Sequence, residues 1–214
     1  MTPKSFIDRH YNVIRKFRFL YGWAKDRSTR LQTSARVAEW KAKGFRGAKL
    51  DICGGRNPYK PGEFLNVDIV SFPQVDLVFD IRSRFPFEDG VIAEIISIAT
   101  LEHLRKPHVE HLLRESFRVL MPGGQIRVST PDIEAIAAGV VRGDDGDVLN
   151  QQLFGKYKGD DTQDYDVHRS MYRGSEMIAL LEKIGFVNGE RLPVGEDILH
   201  DPLYTFLISA TKPQ

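Results

Sequence analysis

The spacing of apolar positions changes twice along the chain. In residues 3–24, Phe6, Ile7, Tyr11, Ile14, Phe17, Tyr21 and Trp23 recur at roughly helical intervals, with Arg and Lys between them. A second helical stretch is expected from about Thr33 to Lys43, stopping at Gly44. After Gly47 the pattern becomes short apolar runs separated by amphipathic stretches. The runs "AKLDI", "FLNVDIV", "VDLVFDI", "EIISIA" and "QIRVST" predict strands. A helix is predicted from Pro107, a favoured first helical position. Val109, Leu112, Leu113, Phe117 and Leu120 follow on one face, and "MPGG" closes it. Another helix is expected with Ser175 as its N-cap, then strands at "GFVNGERLP" and "YTFLISATK". Such alternation predicts an α/β fold with a mainly parallel sheet and helices on both faces. The last two strands, joined only by a loop, are expected to form an antiparallel pair.

Composition changes this picture in three places. The chain has 214 residues, 42% hydrophobic and 28% charged, which is ordinary for a globular domain with a full core. Its apolar runs fall well short of the roughly 20 residues of a membrane span, and the N-terminus mixes charge with apolar residues, unlike a signal peptide. The one cysteine, Cys53, excludes an internal disulfide and leads us to expect a cytoplasmic protein. Charge is unevenly divided: residues 1–46 hold 12 Lys/Arg and 3 Asp/Glu, a balance of +9, and the remainder balances at −8. We therefore separate a basic N-terminal helical extension, 1–46, from a body, 47–214, in which 142–173 is a polar insert placed to cap a substrate.

The chemistry begins at "KLDICGGRNP". A strand delivers an acid, two glycines and a proline to a tight turn. The string GxxxxGK[ST] of a phosphate-binding P-loop is absent. A dinucleotide turn opens a helix whose N-terminal amides hold a pyrophosphate. Here "RNPYKPGE" leaves little room for one before the next strand. A nucleoside ligand without phosphate, S-adenosylmethionine, needs instead close backbone approach and carboxylates for its hydroxyls and amines. Asp51 precedes the glycines, Asp68 closes the second strand and Asp80 the third. An acidic pocket also suits a ligand carrying a sulfonium and an ammonium.

With these residues in place, the sequence resembles the class I S-adenosylmethionine-dependent methyltransferases, in particular the bacterial type-11 kind, over about residues 48 to 212. The strings that carry the resemblance are "LDICGGRNP", "FLNVDI", "DLVFDIRSRFPFEDGVIAEIISIATLEHL", "VLMPGGQIRVSTPD" and "HRSMYRGSEMIALLEKIGF", in family order. It implies a Rossmann-like seven-stranded sheet. It also implies a cofactor site lined by Asp51, Cys53, Gly54, Gly55, Asp68, Ile69, Asp80, Ile81 and Ala99. Cys53 departs from the family, which has glycine there.

For the chemical step, His168 is the candidate general base for a hydroxyl acceptor, and His103, whose pair with Glu102 is expected to orient the loop after the fourth strand, is the second catalytic candidate. Some relatives hold a divalent metal with a Glu-His pair and a later histidine, corresponding to Glu102, His103 and His168. The further glutamate of those sites is Ala99 here, so no metal is expected. The acids of "RGDDGD" and "GDDTQDYD" do not have calcium-loop spacing and are expected to be a solvated segment. The segment "SIATLEHL" lacks the Asn/Asp-Pro-Pro-aromatic string of many base-amine methyltransferases, so the expected acceptor is an oxygen of a small molecule or glycan. Two alternatives stay open. One is an RNA methyltransferase gripping phosphates through residues 1–46; the other is a binding module that keeps the fold without catalysis. The same basic helix also suits a peripheral contact with an anionic membrane.

Overall fold

The computed structural model describes residues 24–156, 166–198 and 200–214. The first expected helix, 3–24, lies almost wholly outside them. The second is longer than the sequence suggested: helix α1 covers 24–42 without a break. Seven strands follow: β1 (Ala48–Ile52), β2 (Leu65–Asp68), β3 (Leu77–Val78), β4 (Ile92–Ile98), β5 (Leu120–Pro131), β6 (Val187–Leu192) and β7 (Thr205–Thr211). Between them stand a 3₁₀ turn (Leu101–His103) and helices α2 (Lys106–Val119), α3 (Ile133–Arg142), α4 (Gly146–Phe154) and α5 (Gly174–Ile184). The sheet order is β3-β2-β1-β4-β5-β7-β6. All pairings are parallel except those of β7, which runs antiparallel to both β5 and β6. This is the expected fold class, Rossmann-like, with the reversal belonging to β7.

Alternation within the strands sorts the core. Ala48, Leu50 and Ile52 of β1, with Ile95, Ile126, Val128, Phe206 and Ile208, join Val109, Leu112 and Leu113 of α2 and Met177 and Leu181 of α5 in the main cluster. On the other face Ile96 and Leu207 pack against Tyr59, Phe64 and Ile198. Two expectations are corrected. The third strand has shrunk to two residues, held to β2 by Asp76 N on Asn66 O and Phe79 N on Asp68 O. The N-cap of α5 is Arg173, not Ser175: its N–H donates to Glu176 Oε2 at 3.1 Å, the return bond of a capping box.

The acids of the polar insert are not simply solvated. Asp145 caps α4 by accepting from Asp147 N and Val148 N, and Asp144 accepts from Tyr204 Oη at 2.6 Å. Residues 157–165 of that insert lie outside the described ones. No described helix is long and apolar enough to cross a membrane.

Candidate cofactor and active site

β1 lies between β2 and β4, and the strand order reverses between β1 and β4, where open α/β sheets leave a crevice for ligands. Two residues at that edge have backbones an L side chain rarely adopts. Cys53, after β1, has φ 63°, and Ala99, after β4, has φ 51°. Cys53 thus occupies a position whose dihedrals favour glycine. Its backbone keeps the β1–β2 ladder going through Cys53 N to Val67 O, 2.7 Å. Burial, reinforced by Asp68 and Asp51, pushes its thiol far up, so it stays protonated and is no nucleophile. Ala99 N donates to Ser129 O at 3.0 Å and Thr100 Oγ1 to Ile52 O at 3.2 Å, tying the end of β4 to β5 and to β1.

Asp51 is spent on the turn itself. Its Oδ2 accepts from Tyr59 N at 2.7 Å, closing the loop that sequence spacing left too short for a helix. No helix forms between Cys53 and Phe64. Gly54 passes so near that a Cβ on it would stand 2.0 Å from Asp51 Oδ2 and 2.8 Å from Asn66 Oδ1. Asn66, in β2, donates from Nδ2 to Gly55 O at 2.9 Å and Gln74 O at 3.0 Å. The sequence reading missed Asn66, although a buried amide inside "FLNVDI" is a visible signal.

The three carboxylates have unequal surroundings. Asp68 Oδ1 accepts from Val70 N at 2.8 Å, and its Oδ2 faces Gly55. Burial raises its pKa, opposed by nearby backbone N–H groups. Asp80 is held by Arg82, which donates from Nε to Oδ1 at 2.9 Å and from Nη2 to Oδ2 at 2.8 Å and lowers its pKa. A ligand amine reaching Asp80 would compete with that guanidinium. The Ile81 side chain is buried in the main core, whereas that of Ile69 is 40% exposed.

A second set of side chains gathers at the ends of β4 and β5. Glu102, 1% exposed, accepts from Thr130 Oγ1 at 2.9 Å. His103 Nδ1 lies 3.3 Å from Val167 O, and His168 Nδ1 lies 2.9 Å from Gln152 O. The two rings stand edge to face with centroids 5.0 Å apart. His168 is delivered by a short antiparallel contact between Gly155 and Val167, in which His168 N donates to Phe154 O. Gly155 has φ 73°, and a Cβ there would meet Asp166 O at 1.9 Å. His200 joins from the loop before β7, with Nδ1 2.9 Å from Ser129 Oγ and Nε2 3.7 Å from Glu102 Oε1. Burial drives His103 and His200 down to about 4 and lowers His168 as well, so all three are neutral imidazoles at pH 7.

Residues 62–128 match the protein family described as a methyltransferase domain. Among solved structures, a methyltransferase from Archaeoglobus fulgidus superposes at TM-score 0.53 and 17% identity, covering 91% of this chain and 99% of that one. A candidate O-methyltransferase from Nostoc punctiforme gives 0.53 at 15% identity, covering 77% and 52%. The CurJ carbon methyltransferase gives 0.50 at 17%, covering 79% of this chain and 49% of its own, so the chain spans about half of that protein. No curated protein sequence matches the chain. The chain has the fold of these methyltransferases.

The residues present fit the cofactor expected from the sequence, S-adenosylmethionine. The turn offers bare backbone at Gly55 beside a carboxylate: a Cβ there would stand 3.6 Å from Asp68 Oδ2 and narrow the approach to that oxygen. No helix N-terminus follows the turn to hold a phosphate. Asp68 would accept the ribose hydroxyls, and Ile69 would give the adenine an apolar surface.

Asp51 gives the domain a pH signature. Burial raises its pKa to about 7, with Asp68 adding to the rise. The unfolded group titrates near 4, so the folded state holds the extra proton between those values and stability falls as pH rises through that window. Asp51→Asn keeps an acceptor for Tyr59 N and removes the ionisation. The variant is expected to gain on the wild type by about 2 kcal/mol between pH 5 and pH 8 without cofactor, read from urea midpoints. Parallel curves for the two proteins would contradict it.

Proposed function

We propose that this chain transfers a methyl group from S-adenosylmethionine to an oxygen of a small-molecule or glycan acceptor. The observation that carries the reading is a polar, imidazole-lined wall at the ends of β4 and β5, next to the Asp68–Gly55 cradle at the ends of β1 and β2. The cofactor supplies an electrophilic methyl on a sulfonium with a good leaving group, so positioning the acceptor accounts for much of the rate. A hydroxyl must also lose a proton. His168 is the base in this reading: neutral at pH 7, with Nδ1 on Gln152 O, it presents Nε2 as the acceptor. His103, with Nδ1 on Val167 O, orients beside it. The absence of an Asn/Asp-Pro-Pro-aromatic string after β4 supports oxygen over a base amine.

The test has two stages. Calorimetry with S-adenosylmethionine must show binding; none at millimolar ligand would reduce the chain to a fold without the cofactor. Release of S-adenosylhomocysteine on a panel of hydroxylated metabolites and glycans then reads turnover. His168→Asn is expected to lower kcat about a hundredfold with cofactor affinity unchanged. RNA binding that weakens steeply with salt and depends on residues 1–46 would favour the RNA acceptor instead.

A further inference from the structure

The sequence set a metal aside because Ala99 stands where related metal sites carry a further glutamate. The fold supplies a group that spacing did not show. One ligating atom each from Glu102, His103 and His168 lies within 4.8 Å of the other two. His200 adjoins the same carboxylate, with its Nε2 3.7 Å from Oε1. These four residues come from three separate segments: the 3₁₀ turn after β4, the strand contact at Gly155–Val167, and the loop before β7.

The outer contacts of the rings give the cluster its direction. Val167 O and Gln152 O are carbonyls and only accept, so the Nδ1 atoms of His103 and His168 carry the protons. Each Nε2 is left as a bare lone pair. Metal-binding histidines are held this way, with the far nitrogen donating to a carbonyl or carboxylate. Glu102 is oriented likewise: Thr130 Oγ1 donates to Oε2 and leaves Oε1 toward His200. Thr130 and His200 are the side chains that contact that carboxylate among the described residues, and no described Lys or Arg pairs with it. Among the described residues, a buried carboxylate and two imidazoles converge with no cation to complement them.

We propose that Glu102, His103 and His168, with His200 as a fourth group, bind a divalent transition-metal ion of the zinc class. Imidazole and carboxylate together suit Zn²⁺, Co²⁺ or Mn²⁺ rather than Ca²⁺. Nitrogen and oxygen ligands about 2 Å from such an ion lie closer together than this cluster does, so the ligands must draw in. His168 and His200 sit outside the strands and can make that movement. The existence of the site is independent of the proposed function; its role rests on that reading. The ion would ligate the acceptor hydroxyl and release its proton to solvent. The oxygen pair then attacks the methyl carbon as the C–S bond breaks and its electrons return to sulfur. His168 then holds the ion rather than the proton.

The test uses the full chain, stripped with EDTA and titrated with Co²⁺ followed by visible absorption, and with Zn²⁺ in the calorimeter. A single ion is expected, with cobalt bands of a low-coordinate nitrogen/oxygen site. His103→Ala and His200→Gln should each weaken it about a hundredfold, and Thr130→Val roughly tenfold, with circular dichroism unchanged. His200→Gln, on a loop, guards against a variant that merely fails to fold. No saturable binding, or binding that these changes do not move, would overturn the site. Turnover separates the two claims. Full activity in EDTA-stripped enzyme overturns the role and leaves His168 as base. A bound ion without oxygen methylation keeps the site and sinks the proposed function.

Discussion

Gly54→Ala is expected to weaken S-adenosylmethionine binding by at least about a hundredfold, the size of loss expected when reacting or binding groups are displaced by an ångström. The reason is local and severe. The new Cβ would sit 2.0 Å from Asp51 Oδ2, 2.7 Å from its Cγ and 2.8 Å from Asn66 Oδ1. Neither neighbour is a free end. Asp51 Oδ2 holds Tyr59 N, and the Asn66 amide holds Gly55 O and Gln74 O. Relief requires Asp51 to drop Tyr59 or the turn to lift away from β2, and either displaces Gly55 from Asp68. Calorimetry reads the affinity, and near-native circular dichroism shows that the domain persists. The double variant Asp51→Ala/Gly54→Ala removes the principal clash, so its loss should be smaller than the sum of the two singles. Affinity within threefold of wild type in Gly54→Ala would place the cofactor away from this turn.

Arg36→Ala is expected to cost roughly 3 kcal/mol of stability at pH 8, the range for breaking one half of a buried ion pair. Asp76, whose side chain is 0% exposed, accepts from Arg36 Nε at 2.9 Å through Oδ1 and from Asn66 N at 2.8 Å through Oδ2. One carboxylate thus fastens α1 to β2, the strand that supports the turn after β1. Without the guanidinium it is left buried and charged. Burial already raises the Asp76 pKa, and removing Arg36 raises it further. The folded variant therefore takes up a proton as pH falls, and the deficit should shrink between pH 8 and pH 5. Arg36→Ala/Asp76→Asn should recover much of the loss, since asparagine still accepts from Asn66 N. Urea unfolding at both pH values is the measurement, and a deficit that is small or independent of pH would count against the account. The same bond bears on the basic extension: α1 is anchored to the sheet at Arg36, while most of its remaining surface is exposed.

The strands and the main helices were legible because their signals are local. Period-2 and period-3.6 burial runs along the chain, so Leu50, Ile52, Leu112 and Leu113 announce their faces before any tertiary contact is known. The turn after β1 was legible for the same reason: two glycines after an acid, with a proline-broken span behind them, leave no length for a helix. Other features depend on atoms far apart in sequence. Asp80 and Arg82 are two residues apart, yet whether that carboxylate faces a ligand or its neighbour depends on the side-chain geometry at the end of β3. Ile81 faces the core because Phe79, Phe85 and Phe87 pack around that loop. Cys53 looked like a defect in a glycine motif; its φ of 63° shows a backbone kept in glycine geometry by the surrounding strands. Most of all, no period connects His103, His168 and His200. They meet because β5 lies between β4 and β7, bringing the segments at those strand ends within reach of one carboxylate. Periodicity is set by the backbone and can be read along one chain; convergence is set by which strands lie side by side, and that emerges only when the whole core has packed.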